Sequence, residues 1–104
     1  MKIVFDDFVD AIANVQRRKL LLALVEADAG YNDEPAVSVD EFVAWDTQRQ
    51  IQMQHSNLPK LASYGLITWN RNENMVTPGP NFEEVKPTLE LLRSNEERLP
   101  PDVW

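Results

Sequence analysis

The chain contains no cysteine, only three glycines and a single histidine, His55. The absence of cysteine excludes disulfide bonds, thiolate metal sites and a cysteine nucleophile. Three scattered glycines cannot form the glycine-rich loop that cradles phosphates. A lone histidine cannot supply the three or four ligands that a zinc site needs. The sequence therefore predicts a protein without a bound metal or cofactor.

Acid–base catalysis could still rest on paired carboxylates, such as Asp6 with Asp10 or Glu83 with Glu84. Such pairs are common in an acidic chain, and these lie on amphipathic or exposed segments, where a solvated surface explains them. No combination of serine, histidine and acid forms a recognisable triad. We therefore expect that the protein is not an enzyme.

Long apolar runs are also missing. The longest, residues 20–25, is far too short to span a bilayer. The chain turns acidic at Asp6 and Asp7, whereas a signal peptide needs a basic start and an uninterrupted apolar run. The apolar fraction of 43% is enough for one core in 104 residues. These features predict a folded cytoplasmic protein without a membrane partner.

Acidic residues are absent from one long stretch of an otherwise acidic chain. The net charge of −7 argues by itself against nucleic-acid binding. Residues 47–72, however, contain no Asp or Glu and carry +3, whereas the rest of the chain carries −10. Random placement of the acids would leave this stretch empty in under about 1% of cases. Chance or burial are the alternatives, but the many Gln, Asn and Ser residues favour a contact surface.

Hydrophobic spacing predicts two helices at the start of the chain. The first, over residues 3–13, places four apolar side chains on one face: Phe5, Phe8, Val9 and Ile12. Asn14 is expected to cap the second helix, over residues 15–27. Three basic residues crowd the first turns of that helix, where its dipole favours anions: Arg17, Arg18 and Lys19. They are expected to pair with aspartates of the first helix or to contact a phosphate.

A turn-rich loop over residues 28–37 separates these helices from a third one. Ser38 and Glu41 have the S-x-x-E spacing of a capping box, which satisfies free N–H groups at a helix start. This spacing predicts a short helix that ends near Trp45 or Asp46.

A longer fourth helix is expected over residues 47–64, with Gly65 as its C-terminal stop. Pro59 removes one backbone hydrogen bond inside this helix. We therefore expect a kink near His55, four residues before the proline.

The fourth helix has an outer face without carboxylates. On a wheel of about 100° per residue, its buried face consists of Ile51, Leu58, Leu61 and Ala62. The outer face consists of Arg49, Gln52, Met53, Ser56 and Lys60, with Asn57 beside them. Such side chains suit the base edges of the DNA major groove. An ordinary solvated face is the alternative, and the apolar position of Gln54 is unexplained.

Two strands, over residues 66–69 and 75–77, are predicted to form a hairpin that ends at residues 78–80. Arg71 and Asn72 lie in its turn, and we expect Arg71 to contact a phosphate or the minor groove. The order of helices followed by a hairpin is that of a winged helix-turn-helix over residues 1–80. The predicted fold class is mainly α with a small β-hairpin, or α+β.

A final helix is expected over residues 81–94, followed by an extended tail in the C-terminal region, residues 81–104. Its apolar side chains form a two-position heptad seam: Phe82, Val85, Leu89 and Leu92. Pro87 predicts either a kink or a later helix start. The seam could pack on its own domain or pair with a second copy. We expect a homodimer formed by this helix and the first helix.

Two segments resemble a known family. Residues 55–67 are similar to the pattern H-x-H-L-P-K-L-x-x-x-G-hydrophobic of small winged-helix proteins from halophilic archaea, relatives of ArsR-type repressors. Residues 10–24 resemble the pattern A-L-S-N-x-x-R-R-x-x-L-x-x-L of the same proteins. The resemblance covers roughly residues 3–77 and implies a winged helix that binds DNA and regulates transcription.

The chain departs from that family at Asn57, where the pattern has its second histidine. ArsR-type metal sensors commonly use a cysteine pair, so metal sensing is not implied for this cysteine-free chain. The acidic composition fits a halophile, in which high salt screens repulsion between acids and DNA.

Two functions remain open at the level of sequence. The first is a dimeric regulator that binds duplex DNA. The second is a winged helix used as a protein–protein interaction module, which the overall acidity supports, because fold does not settle function. Carboxylates brought by the fold onto the face of the fourth helix would favour the second.

Overall fold

The computed structural model describes residues 3–28, 35–44 and 46–103. In chain order these residues form α1 (Phe5–Ile12), α2 (Val15–Asp28), β1 (Val37–Ser38), α3 (Val39–Val43), α4 (Thr47–Gln52), a π-helical segment (Met53–Asn57), α5 (Leu58–Ser63), β2 (Ile67–Asn70), β3 (Met75–Pro78), α6 (Phe82–Ser94) and a 3-10 turn (Glu96–Arg98). The structure is mostly helical with a small antiparallel sheet, which confirms the α+β class.

Helix α2 lies at the centre of the fold and buries leucines on several sides: Leu20, Leu21, Leu22 and Leu24. The Asn14 side chain accepts hydrogen bonds from the backbone N–H groups of Gln16 at 2.9 Å and Arg17 at 3.3 Å. These bonds satisfy donors that an α-helix leaves free at its start. The predicted cap of α2 is therefore confirmed.

Helix α1 buries less than its sequence predicts. Phe8 and Ala11 are buried, but Phe5 is 74% exposed and Val9 is also exposed. The helix has only eight residues, and only the side with Phe8 and Ala11 faces the core. The predicted apolar stripe on α1 is therefore buried only in part, and Phe5 and Val9 face solvent.

Helix α3 begins as predicted, with the Ser38 hydroxyl accepting the backbone N–H of Glu41 at 3.3 Å. It ends at Val43, earlier than expected, because Ala44 adopts a left-handed φ of 53°. Trp45 lies outside the described residues. Asp46 then caps α4, its carboxylate accepting the Arg49 backbone N–H at 3.1 Å.

The sheet has three strands in the order β1-β3-β2, all antiparallel. The β2–β3 hairpin matches the predicted one within a residue or two, and Trp69 pairs with Val76 across it. Strand β1, where Val37 pairs with Val76, was not predicted, because two residues carry no periodic signal. Most of the expected loop before it, residues 29–34, lies outside the described residues.

The turn between α5 and the hairpin depends on glycine. Gly65 has a φ of 73°, which confirms it as the stop of the helix. A Cβ atom on Gly79 would lie 2.4 Å from the Gly65 carbonyl oxygen, so both positions favour glycine.

Helix α6 packs on α2 and completes the single core. Phe82, Val85 and Leu89 are buried there, and Leu92 is half-buried. The prediction that these side chains form a dimer interface is wrong for the three buried ones, because the chain's own core uses them. Pro87 lies inside the helix on its exposed side, so the helix neither starts late nor stops there.

The residues after α6 are not extended as predicted. They form the 3-10 turn and then a second turn, in which the Val103 N–H donates to the Pro100 carbonyl at 3.1 Å. Trp104 lies outside the described residues. Among the described residues, no helix combines the length and apolarity needed to cross a membrane.

Candidate functional site

The predicted fourth helix is interrupted by the π-helical segment Met53–Asn57. Pro59 has no N–H group, and its ring would clash with the carbonyl of His55 in a continuous α-helix. A π-helical segment inserts one extra residue and relieves this conflict locally. The irregularity expected near His55 is therefore present, as a π segment.

The extra residue reverses part of the predicted helical wheel. One inserted residue rotates everything before it by about 100° relative to everything after it. Met53, expected outside, is fully buried at 0% exposure, whereas Ile51, expected inside, is 52% exposed. Gln54 is exposed, which removes its apparent conflict with the apolar side. The assignment of Met53 to DNA contact is wrong for this reason.

Asn57 is also buried, at 4% exposure, and it binds a buried arginine. The Arg17 guanidinium, 8% exposed, donates through Nη1 to the Asn57 side-chain oxygen at 3.0 Å. Its Nε donates to the Ala11 carbonyl at 2.8 Å, and its Nη2 to the Asp10 carbonyl at 2.9 Å. Asn57 therefore ties the π segment to α1 and α2, and its assignment to DNA contact is wrong.

Basic side chains at the start of α2 donate hydrogen bonds to backbone carbonyls at the end of α1. Arg18 donates to the Ile12 carbonyl at 2.5 Å and to the Val103 carbonyl at 2.8 Å. The last carbonyls of a helix lack partners and carry negative partial charge, which favours cations. The expected aspartate pairing is wrong for Arg17 and Arg18, because their partners are backbone carbonyls and the Asn57 side chain. The short link between α1 and α2 could have indicated that basic side chains at the start of α2 reach the last carbonyls of α1.

Lys60 is held by an aspartate of α1. Its ammonium lies 2.7 Å from the Asp10 carboxylate, which also accepts the Tyr64 hydroxyl at 2.6 Å. The hydrogen bonds from Lys60 and then Tyr64 lower the pKa of Asp10, and the bond to Asp10 raises the pKa of Tyr64. DNA contact by Lys60 stays a prediction, but it would require this ion pair to open.

Helix α4 has no buried residue. Arg49 and Gln52 are exposed, and so is Ser56 in the π segment that follows. The Arg49 guanidinium lies 3.5 Å from the Asp46 carboxylate, with both side chains about half exposed. The structure therefore presents these three predicted residues to solvent on consecutive turns. Asp46 lies at the N-terminal end of α4, and Asp40 and Glu41 of α3 line a pocket beside Gln50.

The tip of the hairpin carries the other basic side chain of the acid-free stretch. The Arg71 guanidinium lies over the Trp69 ring, 4.7 Å from its centroid. The Trp69 indole donates to the Asn74 side chain at 3.1 Å, and Asn74 donates to Asp40 of α3 at 2.9 Å. Asn72 is exposed in the turn. Arg71 thus packs on the Trp69 ring, which hydrogen bonds through Asn74 connect to α3.

A cleft of about 420 Å³ separates the π segment and α5 from the hairpin. It is lined by Gln54, His55, Pro59, Trp69 and Arg71. Sequence reasoning did not select Gln54 or His55, because the straight wheel placed Gln54 on the apolar side. Their position inside the acid-free stretch was the signal that could have identified them.

Carboxylates from outside the acid-free stretch reach two of its three basic side chains, since Asp46 pairs with Arg49 and Asp10 with Lys60. Arg71 contacts an aromatic ring instead. In the ranges that the structure describes, no cluster of His, Asp and Glu could hold a metal ion. A scan against family models finds no matching family, and searches of curated proteins and solved structures find no matching relative.

Proposed function

We propose that this chain is a winged helix that binds duplex DNA and regulates transcription in the cytoplasm, without enzymatic activity. The observation that carries the proposal is α4, which has no buried residue and no carboxylate within it. An exposed polar helix next to a hairpin can occupy the major groove while the hairpin reaches the adjacent minor groove. The resemblance of residues 10–24 and 55–67 to haloarchaeal winged-helix proteins supports the same function.

The exposed side chains have the chemistry that base recognition needs. Arg49 can donate two hydrogen bonds to guanine, Gln52 can pair with adenine, and Ser56 can serve either. Arg71 and Asn72 at the hairpin tip would contact phosphate or the minor groove. Met53 and Asn57 are buried, so they take no part in this contact.

The ion pairs of Arg49 and Lys60 differ in how easily they can open for a DNA contact. The pair of Arg49 with Asp46 is long and exposed, and such pairs contribute roughly 0–1 kcal/mol. Arg49 can therefore exchange its carboxylate for DNA at little cost. Lys60 is held more closely, together with Tyr64, on Asp10. This ion pair positions α5 against α1, so a DNA contact by Lys60 would cost more than one by Arg49.

A homodimer would use a surface other than the heptad seam. Phe5 and Val9 of α1 and Leu91 of α6 are exposed. Phe5 lies near Thr88, one helical turn before Leu91. Two copies joined here could address half-sites about 34–36 Å apart on DNA. Phe5→Ser should shift sedimentation equilibrium toward the monomer, whereas a wild type that is monomeric would refute the dimer.

The alternative function is a protein–protein interaction module without DNA binding. Its specific support is the same exposed Phe5, together with the carboxylates that reach Arg49 and Lys60. An exposed apolar patch on a small protein commonly marks a protein contact. Under this alternative, the face of α4 is an ordinary solvated surface.

Selection from a random duplex library, followed by fluorescence anisotropy at one fixed salt concentration, separates the two functions. The DNA proposal predicts an enriched sequence, and a loss of roughly 1–3 kcal/mol for Arg49→Ala on that sequence. Arg98→Ala removes an exposed arginine after α6 and serves as the charge-matched control. Absence of enrichment, or equal losses in both variants, would refute base recognition by α4.

A further inference from the structure

The side chains that line the cleft between the π segment and the hairpin can bind a ligand. His55 and Gln54 face it from one side, and Trp69 and Arg71 from the other. The lining therefore combines a permanent cation, a titratable base, an amide and an aromatic ring. No carboxylate is among the described residues that line it. These groups together suit an anion that also accepts hydrogen bonds.

The position of the cleft indicates which anion it would meet. If α4 lies in the major groove and the hairpin in the neighbouring minor groove, one sugar–phosphate strand separates the two elements. That strand would pass the cleft, because the cleft lies between the hairpin and the π segment that directly follows α4. Contacts to phosphates of the DNA backbone fix the position of a protein on the duplex.

We propose that this cleft is a phosphodiester-binding site, in which Arg71 and protonated His55 hold one DNA strand from opposite sides. The proposal rests on the proposed DNA-binding function and adds two residues, His55 and Gln54, that base recognition by α4 does not use. Trp69 fixes the guanidinium of Arg71 over its ring, so little side-chain freedom is lost on binding. Gln54 supplies an amide N–H to a phosphate oxygen.

Binding measured at two pH values isolates the contribution of His55. Imidazole side chains gain or lose their charge between about pH 5 and 8. The π segment of His55, residues 53–57, carries no other charged side chain, and Lys60 of the following α5 is paired with Asp10. From the hairpin, Arg71 faces the cleft, and Glu73 follows two residues later in the same turn. Arg49 lies on α4, paired with Asp46. None of the described residues that line the cleft is a carboxylate that would compete with a phosphate for His55 and Arg71.

The test is the salt dependence of duplex binding at about pH 5.5 and about pH 8, on either side of the imidazole range. Each phosphate neutralised adds about 0.9 to the slope of log K against log salt. The wild-type slope should be steeper by up to about 0.9 at the lower pH. His55→Ala should abolish this difference, and His55→Lys should keep the steep slope at both values. Arg71→Ala should lower the slope at both pH values, and Arg98→Ala should change neither.

The outcomes separate this site from the proposed function. A wild type that binds duplex DNA with the same slope at both pH values would overturn the cleft site and leave DNA binding intact. A pH dependence that persists in His55→Ala would also overturn it. A wild type that binds no duplex at either pH would overturn both. His55 is exposed, so thermal unfolding of the two variants should match the wild type.

Discussion

The two helices on either side of the π segment differ sharply in what holds them. In α5, Leu58 and Leu61 are fully buried and Lys60 is paired with α1. In α4, no residue is buried, and its N-terminal end is held by the Asp46 cap. The π segment buries Met53 and Asn57 between them. Helix α5 therefore anchors the fold, whereas α4 presents its side chains to solvent.

The largest expected effect tests this difference in anchoring. Leu61→Ala should lower the free energy of unfolding by roughly 2–5 kcal/mol, since it leaves a cavity in the core. The matched change in α4, Ile51→Ala, should stay within about 0.5 kcal/mol, because Ile51 is exposed. Urea unfolding measures both. Similar losses in the two variants would show that α4 packs in the core as the straight wheel predicted.

A smaller effect is expected at the joint between the two halves. Arg17→Met should cost roughly 1–3 kcal/mol, because the buried Asn57 oxygen and the carbonyls of Asp10 and Ala11 lose their arginine donor. Arg18→Met is the matched control, since Arg18 is only half-buried and donates to carbonyls.

A double variant sharpens the same test. Asn57→Leu in the Arg17→Met background should cost less than in the wild type, because their hydrogen bond is then already lost. Equal costs in both backgrounds, measured by urea unfolding, would contradict coupling between Arg17 and the π segment.

The smallest effect concerns the ion pair that positions α5. Lys60 and Tyr64 lower the pKa of Asp10 in the folded state, so this carboxylate stabilises the fold above its ordinary pKa. The contribution is lost as the pH falls through the lowered value. Asp10→Asn should therefore be less stable than the wild type at about pH 7, with the difference shrinking below about pH 4.

Urea unfolding at several pH values measures this difference. Asp6→Asn is a suitable control, because Asp6 is exposed on the same helix. A difference between Asp10→Asn and wild type that stays constant down to low pH would contradict a lowered pKa for Asp10.

Local signals in the sequence predicted much of the fold. Asn14, Ser38 and Gly65 each act through a few neighbouring atoms, and each is found in the predicted role. The hairpin followed from two short strand-like runs separated by a turn. Strand β1 was missed, because its two residues pair only through β3, which lies far away in sequence.

The candidate site was less predictable from the sequence. The errors about its helix share one cause. A straight wheel assumes a constant number of residues per turn, and the inserted residue in the π segment exchanged the positions of Ile51 and Met53. Pro59 indicated that the helix is irregular but not by how much. The seam on α6 showed that Phe82 is buried, but not whether the same chain or a second one buries it.

The proposed DNA-contacting face can be tested directly by amide chemical-shift mapping in NMR, with the isotope-labelled chain titrated with its selected duplex. The account predicts the largest shifts at Arg49, Gln52 and Ser56 and at the hairpin tip, with small shifts along α6. Duplex binding that instead shifts amides around Phe5 and Leu91, and leaves α4 unchanged, would contradict the account.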